Sequence, residues 1–221
     1  MVQSFYLQRG KRWLDLFLSS LGLFALSPWF LIWALLIRFS SPGPVFFRQV
    51  RTGLNGRQFR IFKFRTMFIR SDAHTCLLTA SDDSRITPVG RWLRKTKIDE
   101  LPQLINVVTG DMSLVGPRPE VPLYTNLYTQ EQRRILSVKP GITGRASIAF
   151  AAEEKLLAGR ADTEHFYVSI LMPYKIEIEL QYCRRISLLG DLRVLLETIL
   201  KLFKRPVPFV IPDRYTTTSQ D

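Results

Sequence analysis

Asp99 and Glu100 are adjacent carboxylates set among several cations along the flanking chain: Lys63, Arg65, Arg91, Arg94, Lys97 and Arg118. Leu101-Pro102-Gln103-Leu104 follows the pair, so the acids are predicted to open a helix running to about Val108, with Gly110 as its stop. There the helix macrodipole and the neighbouring cations keep a carboxylate ionised, which suits a nucleophile or a magnesium ligand better than a general acid. Mg²⁺ takes one or two carboxylates plus substrate phosphates, and arginines and lysines clamp the remaining phosphate oxygens. The pattern points to phosphate chemistry. A plainer reading also fits, in which the acids only start a helix and the cations are solvated surface charges. Cys76, Cys183, His74 and His165 have no metal-ligand or CxxC spacing. They form neither a zinc knuckle nor a disulfide framework, so a reducing compartment and an oxygen-ligated metal are expected.

The elements that must position these residues are legible in outline. Residues 45–50 and 58–67 flank a Gly/Asn-rich turn and read as a β-hairpin. On the second strand Phe59 and Ile61 share one parity, whereas Phe62 and Phe64 take the other. This slip predicts a bulge or bend near Ile61-Phe62 that re-aims Lys63 and Arg65. Thr87-Pro88 reads as an N-cap followed by proline at the first helical position, opening a basic helix through Arg91, Arg94 and Lys95. Gly116-Pro117-Arg118-Pro119 is a rigid extended turn presenting one arginine between two prolines, and Lys139-Pro140-Gly141-Ile142-Thr143-Gly144 is another turn. A helix over residues 162–180, interrupted near Pro173, is expected next. Then Leu192, Leu195, Leu196, Ile199, Leu200 and Phe203 recur at helical spacing, on a face that suits a membrane surface or a core equally well. Residues 206–221 read as a mobile tail.

With 221 residues, 46% of them hydrophobic and 23% charged, the chain suits one folded domain with an appendage and excludes disorder and a polytopic membrane protein. The net charge of +12 points to polyanionic partners: nucleic acid, anionic lipid or phosphorylated small molecules. Residues 16–37 carry no charge over 22 positions, a length of ~33 Å, about one bilayer hydrocarbon core. Arg9, Lys11 and Arg12 precede this run and Arg38, Arg48 and Arg51 follow it, so both ends ask to be cytoplasmic. Ser27-Pro28 in the middle offers a way to satisfy both. Pro28 has no N–H for the Phe24 carbonyl, and a kink there turns the run into a re-entrant helical hairpin with Ser27 supplying a hydrogen bond. A proline-kinked spanning helix is the main alternative; a signal peptide is disfavoured by Pro28 and the long apolar continuation.

Four ordered motifs then stand together: Lys63-Phe64-Arg65-Thr66-Met67; Ile98-Asp99-Glu100-Leu101-Pro102-Gln103-Leu104-Ile105-Asn106-Val107; Gly110-Asp111-Met112-Ser113-Leu114-Val115-Gly116-Pro117-Arg118-Pro119; and Lys139-Pro140-Gly141-Ile142-Thr143-Gly144. Over about residues 5–205 the chain resembles the bacterial sugar transferase family, the monotopic phosphoglycosyl transferases that begin assembly of lipid-linked glycans. The family's Ser-Pro pair in a kinked N-terminal helix matches Ser27-Pro28. The resemblance implies transfer of a sugar 1-phosphate from a UDP-sugar to a membrane polyprenyl phosphate, with release of UMP. It makes Asp99 the nucleophile of a phosphosugar-enzyme intermediate and Glu100 a residue that holds Mg²⁺. It also places Arg94 and Arg118 on phosphate, with Lys63, Pro117 and Arg145 in the same substrate pocket.

The resemblance further implies an α+β fold, mostly helical with a small β-hairpin. Residues 1–40 would be a re-entrant anchor, 41–205 a catalytic domain on the cytoplasmic face of the bacterial inner membrane, carrying amphipathic interfacial helices, and 206–221 a tail. The chain resembles the minimal form, without the extra membrane helices and domain of large relatives. Its oligomeric state is open, a homodimer included. It departs from the family after Gly144: many relatives continue Trp-Ala-Gln-Val-Asn-Gly-Arg, whereas this chain reads Arg145-Ala146-Ser147-Ile148-Ala149-Phe150-Ala151-Ala152-Glu153-Glu154. The sugar is therefore left open. A non-catalytic, basic membrane-associated binding protein is the competing reading; a nucleic-acid binder would rest on charge alone and lacks any recognised module.

Overall fold

The computed structural model describes residues 6–69, 83–151, 153–157 and 162–203; His74, Cys76 and the tail expected over 206–221 lie outside them. After a π turn, Tyr6–Gly10, the uncharged run forms helix α1, Lys11–Ser40. It is long and apolar enough to cross a membrane. Backbone helicity continues through Pro28, so the two arms expected on either side of it belong to one helix. The carbonyl that proline deprives is that of Phe24, and the Ser27 hydroxyl donates to it at 2.8 Å.

One stripe of α1 faces the rest of the chain. Asp15, Ser19, Trp33 and Ile37 are buried on it, while Trp13, Phe17, Phe24, Trp29, Leu31 and Phe39 are exposed. Contacts with the body occur at both ends. Near the start, Arg12 donates to the carbonyls of Val107 (2.5 Å) and Val108 (2.8 Å), and Asp15 Oδ1 accepts from the Leu114 amide at 2.9 Å. Near the finish, Trp33 and Ile37 pack with Phe64 and Leu93. Arg65 donates to the carbonyls of Ser41 (2.7 Å), Pro42 (2.5 Å) and Ile37 (3.4 Å). It therefore closes the C-terminus of α1, where the helix dipole favours a cation, and is not a member of the acidic site.

The hairpin pairs β1, Phe46–Thr52, with β2, Gln58–Phe64, antiparallel and in unbroken one-to-one register from Phe46↔Phe64 to Thr52↔Gln58. The expected bulge near Ile61-Phe62 is absent. The parity slip instead marks a strand covered on both sides: Ile61 packs towards Leu104 and Val107, and Phe64 towards Trp33 and Leu93. Lys63 shares the parity of Ile61, so regular pleating alone carries it inward.

Thr87 caps α2, Pro88–Lys95, accepting from the Gly90 amide at 2.9 Å, as the sequence predicts. A short 3₁₀ turn, Ile98–Glu100, then leads to α3, Gln103–Thr109, which ends at Gly110 with φ 94°. Thus Asp99 and Glu100 lie in a separate turn before α3, because Pro102 sits ahead of the first α-helical residue. Strand β3, Ser113–Val115, pairs in parallel with β4, Gly141–Thr143; between them lie α4, Pro122–Thr125, and a 3₁₀ turn, Gln132–Ser137. The short helices α5, Arg145–Ala149, α6, Glu153–Leu157, and α7, Thr163–Phe166, follow. The interruption expected near Pro173 is a π turn, Tyr167–Leu171, before α8, Met172–Arg184.

The last helix, α9, Leu188–Phe203, turns Leu189, Leu192, Leu196, Ile199 and Leu200 outward and buries Asp191 and Val194. Of the two readings of this helix, the core-facing one does not hold for those leucines. The architecture is α+β and mostly helical, with two two-stranded sheets among the described residues.

Candidate active site

The geometry around Asp99 is set by backbone detail. Lys97 adopts φ 57°, ψ 15°, a left-handed conformation that terminates α2 and swings the chain into the Ile98–Glu100 turn. Asn106 on α3 then clamps this region to the hairpin: its side-chain amide donates to the Arg60 carbonyl and accepts from the Phe62 amide, both at 2.9 Å. Lys63 on β2 is thereby held opposite the turn.

Arg118 arrives from a third direction. Its loop is fixed by backbone contact between two motifs: the Gly116 amide donates to Thr143 O at 2.9 Å and the Gly141 amide to Pro117 O at 2.8 Å. A Cβ at Gly141 would lie 2.1 Å from the Gly116 nitrogen, so no other residue permits this approach. The separate turns read from the sequence are two sides of one junction, and Pro117 serves it through its carbonyl.

Glu100 is the meeting point. Its Oε1 receives Lys63 Nζ and Arg118 Nη2, each at 2.7 Å, and its Oε2 faces Arg118 Nη1 at 3.3 Å. Burial opposes ionisation of Glu100, but Arg118 and Lys63 outweigh it and hold the carboxyl well below the usual carboxylate range. In return the Glu100 charge raises Arg118 above an ordinary guanidinium, whereas burial lowers Lys63.

Asp99 differs from its neighbour. It is 8% exposed, and its Oδ1 is buried without a hydrogen-bond partner. Burial and the adjacent Glu100 charge push its carboxyl up to about 6, against the opposing pull of Lys63, Lys97 and Arg94. The expected cause is thus corrected: the 3₁₀ turn gives little dipole and desolvation raises the carboxyl, which at about 6 is still mainly ionised at neutral pH. Asp99 caps no amide. A desolvated carboxylate with a bare oxygen, ringed by cations, is suited to attack an electrophile whose own negative charge those cations receive.

Of the other residues predicted for the site, Arg94 lies in the last turn of α2 and its charge reaches Asp99. Arg145 is exposed at the start of α5, and its charge is felt at Glu179. No described contact joins it to Asp99 or Glu100. Among the described residues no cluster of three or more His, Cys, Asp or Glu forms a metal cage. The bare Oδ1 beside Glu100 nevertheless fits Mg²⁺, an ion that relies on few carboxylates and on substrate phosphates.

Sequence reasoning missed a second charged cluster behind Arg118. Glu120 lies 3.7 Å from Arg51 and 3.6 Å from Lys175, and accepts from the Tyr167 hydroxyl. Lys175 also meets both oxygens of Glu153 at 3.1 Å. The available signal ran from the π turn into α8, where Lys175 and Glu179 interrupt an otherwise apolar stripe of Leu171, Met172, Ile176 and Tyr182.

Comparison with known proteins gives this arrangement a context. The model of the bacterial sugar transferase family matches residues 6–205. The chain is 38% identical over 196 residues to a UDP-glucose:undecaprenyl-phosphate glucose-1-phosphate transferase of Escherichia coli K12, covering 87% of this chain and 40% of that relative. A protein of the same description from Caulobacter vibrioides is 40% identical over 192 residues, covering 86% of this chain and 68% of the relative. A UDP-N-acetylgalactosamine-undecaprenyl-phosphate N-acetylgalactosaminephosphotransferase of Aeromonas hydrophila is 38% identical over 194 residues, covering 86% and 42%. The chain therefore spans less than half the length of two of these three relatives.

Proposed function

The chain belongs to the bacterial sugar transferase family, and from that premise we propose that it transfers a sugar 1-phosphate from a UDP-sugar to a membrane polyprenyl phosphate, releasing UMP. The observation that carries this reading is the bare, buried Oδ1 of Asp99 beside a Glu100 already neutralised by Lys63 and Arg118. A helix-capping acid would spend that oxygen on an amide.

Asp99 attacks the phosphorus that bears the sugar. The new O–P bond forms as the bond to the bridging oxygen breaks, and the electron pair leaves with UMP. The lipid phosphate then attacks the same phosphorus, forms the diphosphate linkage and returns Asp99 to its carboxylate. Each half needs no base, because both nucleophiles arrive ionised. Lys63, Arg94 and Arg118 hold the donor phosphates and take up their charge, and Glu100 keeps Lys63 and Arg118 in place until the donor arrives. Mg²⁺ would be held by Glu100 together with the donor phosphates, and would neutralise phosphate charge there.

The same reading places the protein in one leaflet at the cytoplasmic face of the bacterial inner membrane. What supports it is that α1 touches the body near its start, through Arg12 and Asp15, and near its finish, through Trp33 and Ile37, with its outward face apolar. A helix crossing the bilayer would carry one of those ends away from the body. The exposed leucines of α9 supply a second apolar face.

The test is UMP release by lipid-embedded protein given Mg²⁺, polyprenyl phosphate and UDP-sugars one at a time. Donor-dependent release is expected, with a burst of about one UMP per protein when the lipid phosphate is omitted. Release that strictly requires the lipid would overturn the covalent step, and silence with every donor would overturn the reaction.

A further inference from the structure

Arg118 stands between two prolines, and the carbonyl of each is engaged. Pro117 O accepts from the Gly141 amide at 2.8 Å, and Pro119 O accepts from Arg51 Nη1 at 3.3 Å. The first partner is backbone of the neighbouring turn; the second is a side chain of β1. That guanidinium is itself held at two further points. Arg51 Nη2 donates to Gln49 Oε1 at 2.8 Å, and Nη1 lies 3.7 Å from Glu120 Oε2. Next to it, the Thr52 amide donates to the Glu120 carbonyl at 2.9 Å, and the Thr52 and Thr125 hydroxyls share a hydrogen bond of 2.8 Å. The end of β1 therefore grips the chain just after Arg118, as Gly141 grips it just before.

The register of the hairpin gives this grip a consequence for the site. Arg51 opposes Phe59 and Lys63 opposes Phe47, so Arg51 and Lys63 share one face of the β1–β2 pair. One rigid ribbon thus carries Lys63, which touches Glu100, and also holds the loop of Arg118, the other cation on Glu100. Stability alone does not select an arginine at residue 51. Its side chain is 18% exposed, and its Nε is buried without a hydrogen-bond partner among the described residues. Burial and the Arg118 charge lower it below an ordinary guanidinium, against the pull of Glu120. A neutral donor would serve the Pro119 carbonyl without adding a cation beside Arg118. What the guanidinium alone offers is a planar fork that reaches Gln49, Pro119 and Glu120 together.

We infer that Arg51 is a positioning residue for donor binding: it locks the Pro119 side of Arg118 to the hairpin face that carries Lys63, so that the two cations on Glu100 stand at a fixed spacing. This rests on the transfer reading above, in which Lys63 and Arg118 hold donor phosphate. Lysine at residue 51 keeps the charge but is a single point on a flexible stem, and it cannot hold all three partners.

The experiment uses the full chain in lipid nanodiscs, as wild type, Arg51→Lys, Gln49→Ala, Arg118→Lys and the Arg51→Lys/Arg118→Lys double variant. Hydrogen exchange at the Thr52 amide, which reports its bond to the Glu120 carbonyl, is expected to quicken about tenfold in Arg51→Lys. The KM for UDP-sugar should rise by about the same factor with kcat within about threefold, and the KM effect should shrink below about twofold when Arg118 is already Lys. Unchanged exchange overturns the brace, whatever happens to KM. Quicker exchange with an unchanged KM, a loss confined to kcat, or an equal KM effect in both Arg118 backgrounds overturns its link to the donor. Should Arg51→Lys fail to fold, Gln49→Ala, which frees one arm of the fork, carries the same comparisons at about threefold. A wild type that releases no UMP from any donor counts against the transfer reading, and the exchange measurement still decides the brace.

Discussion

Two buried aspartates in this protein are built from similar parts and finished differently. Asp191, 1% exposed, accepts from Tyr6 at 2.6 Å and Tyr182 at 2.8 Å and pairs with Lys11. Both its oxygens are satisfied, and the cluster joins chain segments 185 residues apart. Asp99 also sits among cations, but those that come within hydrogen-bond distance of the turn bind Glu100 and leave Oδ1 of Asp99 bare. Folding alone favours the first arrangement, since an unsatisfied buried acceptor costs about 1–3 kcal/mol. The second is kept where an incoming group will supply the missing partner. Burial and charge are therefore poor guides to function here, and hydrogen-bond satisfaction separates the staple from the site.

The sharpest way to break this contrast is Asp99→Asn. The amide has almost the same shape and needs no cation, so thermal stability should hold or rise slightly. UMP release should fall by about 10⁴-fold or more if the carboxylate is the nucleophile. Activity within tenfold of wild type would make Asp99 a structural acid like Asp191. The reciprocal change, Asp191→Ala, should reverse the pattern. It leaves Lys11 and two tyrosine hydroxyls without their acceptor and should destabilise the fold by about 3–5 kcal/mol, read as a lowered thermal midpoint. The UMP release of the fraction that remains folded should stay within about threefold of wild type. A loss of turnover without a loss of stability would refute the assignment of that cluster as a staple.

Glu100→Gln falls between the two. It strands Lys63 and Arg118 without their shared counter-charge, so some stability is lost. The two cations also lose their fixed positions, and UMP release should drop about 10²-fold. Added inorganic phosphate should recover part of the lost stability, because an anion can replace the missing charge between the two cations. Thermal unfolding with and without phosphate checks this, and no recovery would mean the cations are not poised for an anion.

How much of this was legible follows from the range of the signals involved. The Thr87-Pro88 start, the Gly110 stop, the hairpin and the break before Pro173 depend on neighbours a few residues apart, and all are present. The Asp99-Glu100 pair and Lys63 and Arg118 were found by residue type and motif, and the structure brings Glu100, Lys63 and Arg118 together. Strand parity misled at Ile61-Phe62, because period-2 patterning assumes one dry face and this strand is covered on both. The role of Arg65 was hidden because a guanidinium that binds main-chain carbonyls leaves no mark on side-chain pattern. Glu120, Glu179 and Asp191 work through partners that chain order does not reveal: Tyr167 lies 47 residues from Glu120, and Tyr6 lies 185 from Asp191.

The smallest expected effect tests where the apolar side of the molecule sits. Ser27 donates to the Phe24 carbonyl, the group left without an amide by Pro28, and this hydrogen bond lies on the exposed side of α1. If that side faced water, Ser27→Ala would cost almost nothing, since water would replace the hydroxyl. In hydrocarbon no replacement exists, and the bare carbonyl should cost about 1 kcal/mol. Comparing Ser27→Ala with wild type in lipid nanodiscs should therefore show a lowered thermal midpoint, while a mutation to Ala at Ser137, an exposed serine ending the Gln132–Ser137 turn that donates to the Arg134 carbonyl at 2.7 Å, shows none. Equal, negligible shifts for both would place the Ser27 turn in water and remove the central support for an anchor buried at its midpoint. A shift confined to Ser27 would make it the polar counterpart of Asp191 within the membrane face, a satisfied group whose worth depends on having no other partner available.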